Sequence, residues 1–201
     1  MIHTEEVVIA SDGSRRFDGH LARPATGTGP GLLIFSEMWG VAAKKREMAE
    51  DYARRGWCVI AANMFWRSEF TGVVPFDQAD KAWQRLQAFD FDKSADDCRT
   101  ATQWLRASPH CNGKVAAIGF CMGGRIAFLA AARAGGGAAE DFFYDAGHAF
   151  FNDSRPEAYS PKDAAVAWDR TVDFLKKHLA RGPLRTTPEG LISGPTTPTF
   201  E

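Results

Sequence analysis

The sequence predicts an α/β fold, a mostly parallel sheet flanked by helices, and three observations carry that reading. Leu32–Phe35, Cys58–Met64 and Lys114–Phe120 read as buried strands, and parallel sheets need strands covered on both faces. Helix-forming stretches at Ala42–Arg55, Ser94–Ala107 and Gly123–Arg133 alternate with them, as in β-α-β units. The third observation is a tight glycine motif, Gly119-Phe120-Cys121-Met122-Gly123, set between the last of these strands and the helix after it.

Taken in order, Glu6–Ala10 and Phe17–Arg23 are β-like runs separated by Asp12-Gly13, which predicts an antiparallel hairpin. Pro24 to Gly31 reads as a loop before the first parallel strand. Gly56 follows the basic end of the first helix and is a natural stop. Trp83, Leu86 and Phe89 recur at three-residue spacing. Ser94 with Asp97 resembles a capping box and sets the expected start of the second helix. Asn112-Gly113 turns the chain into the third parallel strand. A short strand is expected at Phe142–Tyr144, then a Gly147-His148 loop. Ser160-Pro161 with Asp163 opens a last amphipathic helix to about Leu179. Residues 1–180 are expected to form one domain and 181–201, with four prolines, a loose tail.

Composition narrows the function classes. With 201 residues, 45% hydrophobic and 24% charged, the chain can bury an ordinary core and is a poor candidate for disorder or a coiled coil. A net charge of −1 without a basic run argues against nucleic acid as a partner. Cys58, Cys98, Cys111 and Cys121 form no C-x-x-C pair or zinc spacing, which fits a reducing cytoplasm. The start, MIHTEEVVIAS, carries acids where an export signal is basic, and no apolar run approaches the ~20 residues that span a bilayer. Neither export nor membrane association is expected.

The glycine motif has the form of a nucleophile elbow with cysteine in place of serine. The strained turn needs small neighbours, and Gly119, Gly123 and Gly124 supply them. The helix N-terminus beneath the thiol favours a thiolate and a developing oxyanion. His148 lies downstream of the nucleophile, as chain order in α/β-hydrolases requires, and is the expected base; His3, His20, His110 and His178 read as surface residues. Glu37 and Arg67 each follow a buried strand at the carboxyl end, where open α/β sheets hold ligands.

The segments GFCMGG, SEMWG, NMFWR, WQRLQAFDF and AGHAFFND together resemble the dienelactone hydrolase family of α/β-hydrolases, over nearly all of residues 1 to 180. The resemblance implies an α/β-hydrolase-type fold and hydrolysis of lactones or carboxylic esters, of the carboxymethylenebutenolidase type, without a cofactor or metal. It implies Cys121 as nucleophile, His148 as base and Glu37 as the acid contacting the resting thiol. Arg67 would bind a substrate carboxylate, Trp39 would wall the pocket, and the backbone N–H groups of Met122 and Met38 would hold the oxyanion.

One departure stands out. The family places a strand, the triad-aspartate loop, a helix and another strand between the elbow helix and the histidine. Here Arg133 and Phe142 are separated by eight residues, too few for a parallel crossover of about a dozen, so the sheet is shortened after the nucleophile helix. Asp141 and Asp145 are the remaining candidates for the triad acid, and Asn152 stands where strict dienelactone hydrolases carry a second arginine. Three readings follow: an active hydrolase of small esters or lactones, a catalytically impaired family member, or a thiol-based binding or redox-responsive protein. Packing predicts that the Phe142–Tyr144 strand closes up beside Lys114–Phe120 to avoid an unpaired gap.

Overall fold

A computed structural model describes residues 1–133, 138–140 and 142–179. The expected tail and Asp141 lie outside the described residues. Strands β1 (Ile2–Asp12) and β2 (Arg15–Pro24) form the predicted hairpin, longer than the apolar runs alone suggested, with Gly13 at φ 59° in its turn. They are followed by β3 (Gly29–Phe35), helix α1 (Ala43–Arg54) and β4 (Cys58–Ala62). Helices α2 (Ala79–Gln87) and α3 (Phe91–Ala107) lead to β5 (Cys111–Gly119), then α4 (Met122–Arg133) and α5 (Pro161–Leu179).

The five strands order as β1-β2-β4-β3-β5. β3 pairs in parallel with β4 and β5, while β1–β2 and β2–β4 are antiparallel, so the sheet is a parallel half extended by the N-terminal hairpin. Side chains alternate across it as a period of two demands. Leu32, Ile34, Val59 and Ala61 face the core under Met48, Ala49 and Tyr52 of α1 and Leu175 of α5. Leu33, Phe35, Cys58 and Ile60 face the opposite core under Cys98, Ala101 and Leu105 of α3 and Ile126 of α4. Helices therefore cover both faces, which is why these strands are apolar throughout.

Three expectations need correction. The second long helix begins at Phe91, not Ser94, because Asp90 is the N-cap: its carboxylate accepts from the N–H groups of Asp92 and Lys93, each at 3.0 Å. Ser94 lies inside the helix with its hydroxyl donating to the Phe91 carbonyl at 2.6 Å, and Asp97 is buried, accepting from Trp66 Nε1 at 3.1 Å. His20 is buried rather than on the surface, with Nδ1 2.8 Å from Glu6 Oε1.

The third correction concerns Phe142–Tyr144, which forms no strand and does not pair with β5; among the described residues β5 is an edge of the sheet. Two of its three aromatic rings find partners without a ladder. Tyr144 packs on Phe150 with ring centroids 5.1 Å apart, and the Arg170 guanidinium of α5 lies 4.4 Å from the Phe142 ring centroid. Phe143 between them is exposed, so the segment is held by its first and third rings. Among the described residues no helix is long and apolar enough to cross a membrane.

Candidate active site

The elbow is built where β5 ends against β3. Phe35 and Gly119 are register partners, and the Phe120 N–H donates to the Phe35 carbonyl at 3.1 Å. The chain then turns so sharply that Cys121 takes φ 56°, in the left-handed region that costs a non-glycine residue about 1–3 kcal/mol. Among the described residues the other non-glycine with positive φ is Ala149 at 71°, next to His148. The two strained positions bracket the candidate chemistry. Cys121 is exposed at the start of α4, and it opens onto a cavity of about 450 Å³ that Glu37, Lys45, Arg125 and His148 also line.

The histidine loop is fastened to the elbow by aromatic packing. Phe150 and Phe151 are buried, Phe151 lies 6.1 Å from Phe120 between ring centroids, and the Phe150 carbonyl accepts from the Ser160 N–H at 2.8 Å. The start of α5 is closed by Ser160, whose hydroxyl donates to Asp163 at 2.5 Å. A rigid shelf of rings therefore presents His148 at the cavity wall. Among the described residues no hydrogen bond joins His148 to a carboxylate; Asp145 is exposed and makes no such bond.

Partial desolvation of the thiol by the pocket walls pushes the Cys121 pKa up although the residue is open to the cavity, and the nearby charge of Glu37 raises it further, while a hydrogen bond from the Met122 N–H lowers it. The resting thiol is thus protonated more firmly than the helix N-terminus alone suggests. The Met122 N–H thus lies beside the Cys121 sulfur. Glu37 is held by an ion pair with Lys45 at 2.8 Å, and the Lys45 ammonium sits 4.1 Å from the Phe120 ring centroid. Lys45 is buried, so its pairing offsets the cost of taking a cation out of water.

Sequence reasoning missed Lys45, although a signal was there. Lys45, Met48, Ala49 and Tyr52 share one helical stripe, and a lysine in an otherwise apolar stripe calls for a buried anion. Arg85 was missed in the same way: it sits on the α2 face with Ala82, buried, donating to the carbonyls of Met38, Phe70 and Gly72. Met38 is therefore fixed through its carbonyl, by a side chain that does not line the cavity.

Two expected substrate contacts are not brought to Cys121. Arg67 lines a separate cavity, where it is bonded to Asp97 and stacked with its guanidinium 3.8 Å from the Trp66 ring centroid. Asp97 is buried, and a buried carboxylate requires such a cation, which explains why Arg67 is drawn there. Trp39 packs edge-on against Phe76, with centroids 4.8 Å apart, away from the cavity wall. No group of three or more His, Cys, Asp or Glu side chains among the described residues could hold a metal ion.

Comparison with known proteins fits this geometry. The carboxymethylenebutenolidases of Cupriavidus pinatubonensis and Pseudomonas putida are 31% and 32% identical to the chain over 134 and 133 residues. Each alignment covers 65% of this chain, and 57% and 56% of the respective relative, so the chain spans little more than half the length of the curated relatives it matches. A dienelactone hydrolase-like promiscuous phosphotriesterase from metagenomic libraries has the same fold, with a TM-score of 0.73 at 18% identity, over 89% of this chain and 99% of that one. The dienelactone hydrolase family profile matches residues 17–144 and 139–179, two stretches that meet in the short connection between α4 and the histidine loop. The elbow, the cavity and this match together establish that the chain belongs to the dienelactone hydrolase family.

Proposed function

We propose that the chain hydrolyses small carboxylic esters or lactones through Cys121, and the observation that carries the proposal is a strained, exposed cysteine sharing one cavity with Glu37 and His148. The thiol loses its proton to Glu37, which passes it on to His148, and the sulfur attacks the ester carbonyl carbon. Developing charge on the carbonyl oxygen is met by the Met122 N–H, with that of Met38 as the second donor. Collapse breaks the C–O bond, the leaving alkoxide takes a proton from His148, and water activated by the same imidazole hydrolyses the thioester. The four cysteines are free, which supports our reading of a reducing, cytoplasmic setting. Neither nucleic acid nor membrane is part of this reading.

A second reading, an impaired catalyst, is favoured by the lack of a described carboxylate bonded to His148. Without one the imidazole tautomer is not fixed, and in serine triads that loss costs ~10⁴ in rate. A 4-nitrophenyl acetate time course distinguishes the two. Steady turnover abolished by Cys121→Ala supports the hydrolase. A burst of one nitrophenol per chain, with an acetyl group retained on Cys121, supports impairment at deacylation. Turnover that survives Cys121→Ala would overturn both.

Glu37→Gln separates resting from working chemistry. Because the Glu37 charge raises the Cys121 pKa, its removal should move the pH profile of iodoacetamide labelling to lower pH and speed labelling several-fold at neutral pH. Ester turnover should fall, since Glu37 is also the base facing the thiol. Cys98 and Cys58, pushed by burial to about 12 and about 11, should stay unlabelled. Slower labelling of Cys121 in the variant would contradict the assigned electrostatics.

A further inference from the structure

Helix α1 opens against its own electrostatics. Its first turn holds no acid and three cations in succession, Lys44, Lys45 and Arg46, where the helix dipole disfavours positive charge. Each is drawn to a carboxylate of a different segment: Lys44 to Asp153 beyond the histidine loop at 2.8 Å, Lys45 to Glu37 after β3 at 2.8 Å, and Arg46 to Glu6 of β1. Lys45 is the buried member, its side chain 7% exposed. Its ammonium touches the Glu37 carboxylate and lies over the ring of Phe120, the residue before the nucleophile, 4.1 Å from the centroid. Stability alone does not call for a lysine here, since an apolar side chain of similar volume would pack without the cost of desolvating a charge. The Glu37 carboxylate is in turn the charge felt by the Cys121 thiol. Ammonium, carboxylate and thiol thus form a chain around one cavity.

We propose that Lys45 is a positioning residue for the reaction at Cys121: its ammonium holds the Glu37 carboxylate beside the thiol and supplies the counter-charge that lets these two acids share one negative charge in a half-buried place. The proposal deepens the hydrolase reading and rests on it for turnover, but not for the state of the thiol. A thiolate beside a carboxylate is repelled, so it forms readily only when the proton moves onto the carboxylate or a cation stands close by. Lys45 meets the second condition and permits the first. When the sulfur proton passes to Glu37, the pair still carries one negative charge facing one ammonium, as it did before. The other charged or titratable groups lining the cavity are differently placed: Lys44 is paired with Asp153, the Arg125 guanidinium rests 4.0 Å from the Phe91 ring centroid, and His148 stands on its own loop.

The test is the pH profile of Cys121 labelling by iodoacetamide in Lys45→Met, read by mass spectrometry of the Cys121 peptide. Without the ammonium the Glu37 charge weighs on the thiol unopposed. The profile should move to higher pH and labelling at neutral pH should slow about three- to tenfold, the opposite of the shift expected for Glu37→Gln. Lys45→Arg should restore the wild-type profile, and Lys44→Met, which removes the same charge from the same turn, should leave it in place. An unmoved profile in Lys45→Met would overturn the proposal, and so would an equal shift in Lys44→Met, because a merely structural lysine moves neither and a general loss of positive charge moves both. Methionine suits a stripe shared with Met48, Ala49 and Tyr52, so the variant should fold; Lys45→Gln, also uncharged, must show the same shift and carries the test if it does not. Labelling needs no turnover. A shifted profile with no ester hydrolysis would uphold the role of Lys45 and refute the hydrolase reading alone, whereas hydrolysis with an unmoved profile would do the reverse.

Discussion

Gly119→Ala is expected to abolish the elbow and to cost more than about 4 kcal/mol, most of the stability of an ordinary domain. A Cβ at Gly119 would overlap the Gly123 carbonyl and lie 2.5 Å from the Gly124 nitrogen. Both are backbone atoms of the first turn of α4, which has no room to retreat. A Cβ at Gly123 would itself lie 2.7 Å from the Phe35 carbonyl carbon and 2.8 Å from the Ser36 oxygen, so that turn is already pressed against the end of β3. Urea unfolding of the purified variant is the measurement. A midpoint within experimental error of wild type would show that the strand and helix can separate, contrary to the packing.

Arg85→Met is expected to lose about 3–5 kcal/mol, for a different reason. The Arg85 side chain donates at 2.9 Å to the Met38 carbonyl from Nε, and at 2.9 and 2.7 Å to those of Phe70 and Gly72 from Nη1. It is 2% exposed, its guanidinium lies 3.9 Å from the Phe65 ring centroid, and burial drives its pKa down to about 10. Methionine keeps much of the volume but leaves three carbonyls without that donor, at about 1–3 kcal/mol for each that finds no replacement. Denaturant midpoints test the stability loss. The segment after β3, which carries Glu37, would also lose a tether, so kcat for any ester should fall more than KM rises. A loss under about 1 kcal/mol would mean that water replaces the guanidinium.

The parts of this molecule that repeat were legible in the sequence. Continuous apolar runs placed β3, β4 and β5, the Asp12-Gly13 turn placed the hairpin, and the glycines around Cys121 placed the elbow. Pairings between distant side chains were not. Arg67 sits at a strand end as a ligand-binding residue would, yet Asp97, thirty positions on and buried beside Trp66, claims it. Asp90 outcompeted Ser94 as cap because the helix begins a turn earlier, where Phe91 can pack on Phe89 at 4.9 Å between centroids. The aromatic triplet at residues 142–144 has strand composition, but Phe142 and Tyr144 pack on Arg170 and Phe150 instead, and Phe143 is left exposed. Lys45 was readable only as a violation of its helix stripe.

The pairing of β3 with β5 also decides when the site comes into existence. Phe35 and Gly119 are register partners roughly 80 positions apart in the chain, and Glu37 and Cys121 each lie two residues beyond them. Closing so long a loop carries an entropic cost that no local contact repays, so this pairing forms late compared with the hairpin of β1 and β2. A nascent or partly unfolded chain thus has its cysteine but neither its acid neighbour nor the shelf that carries His148. Ester chemistry at Cys121, unlike plain thiol reactivity, is in this sense a report on completed topology, waiting until the most distant paired strands have met.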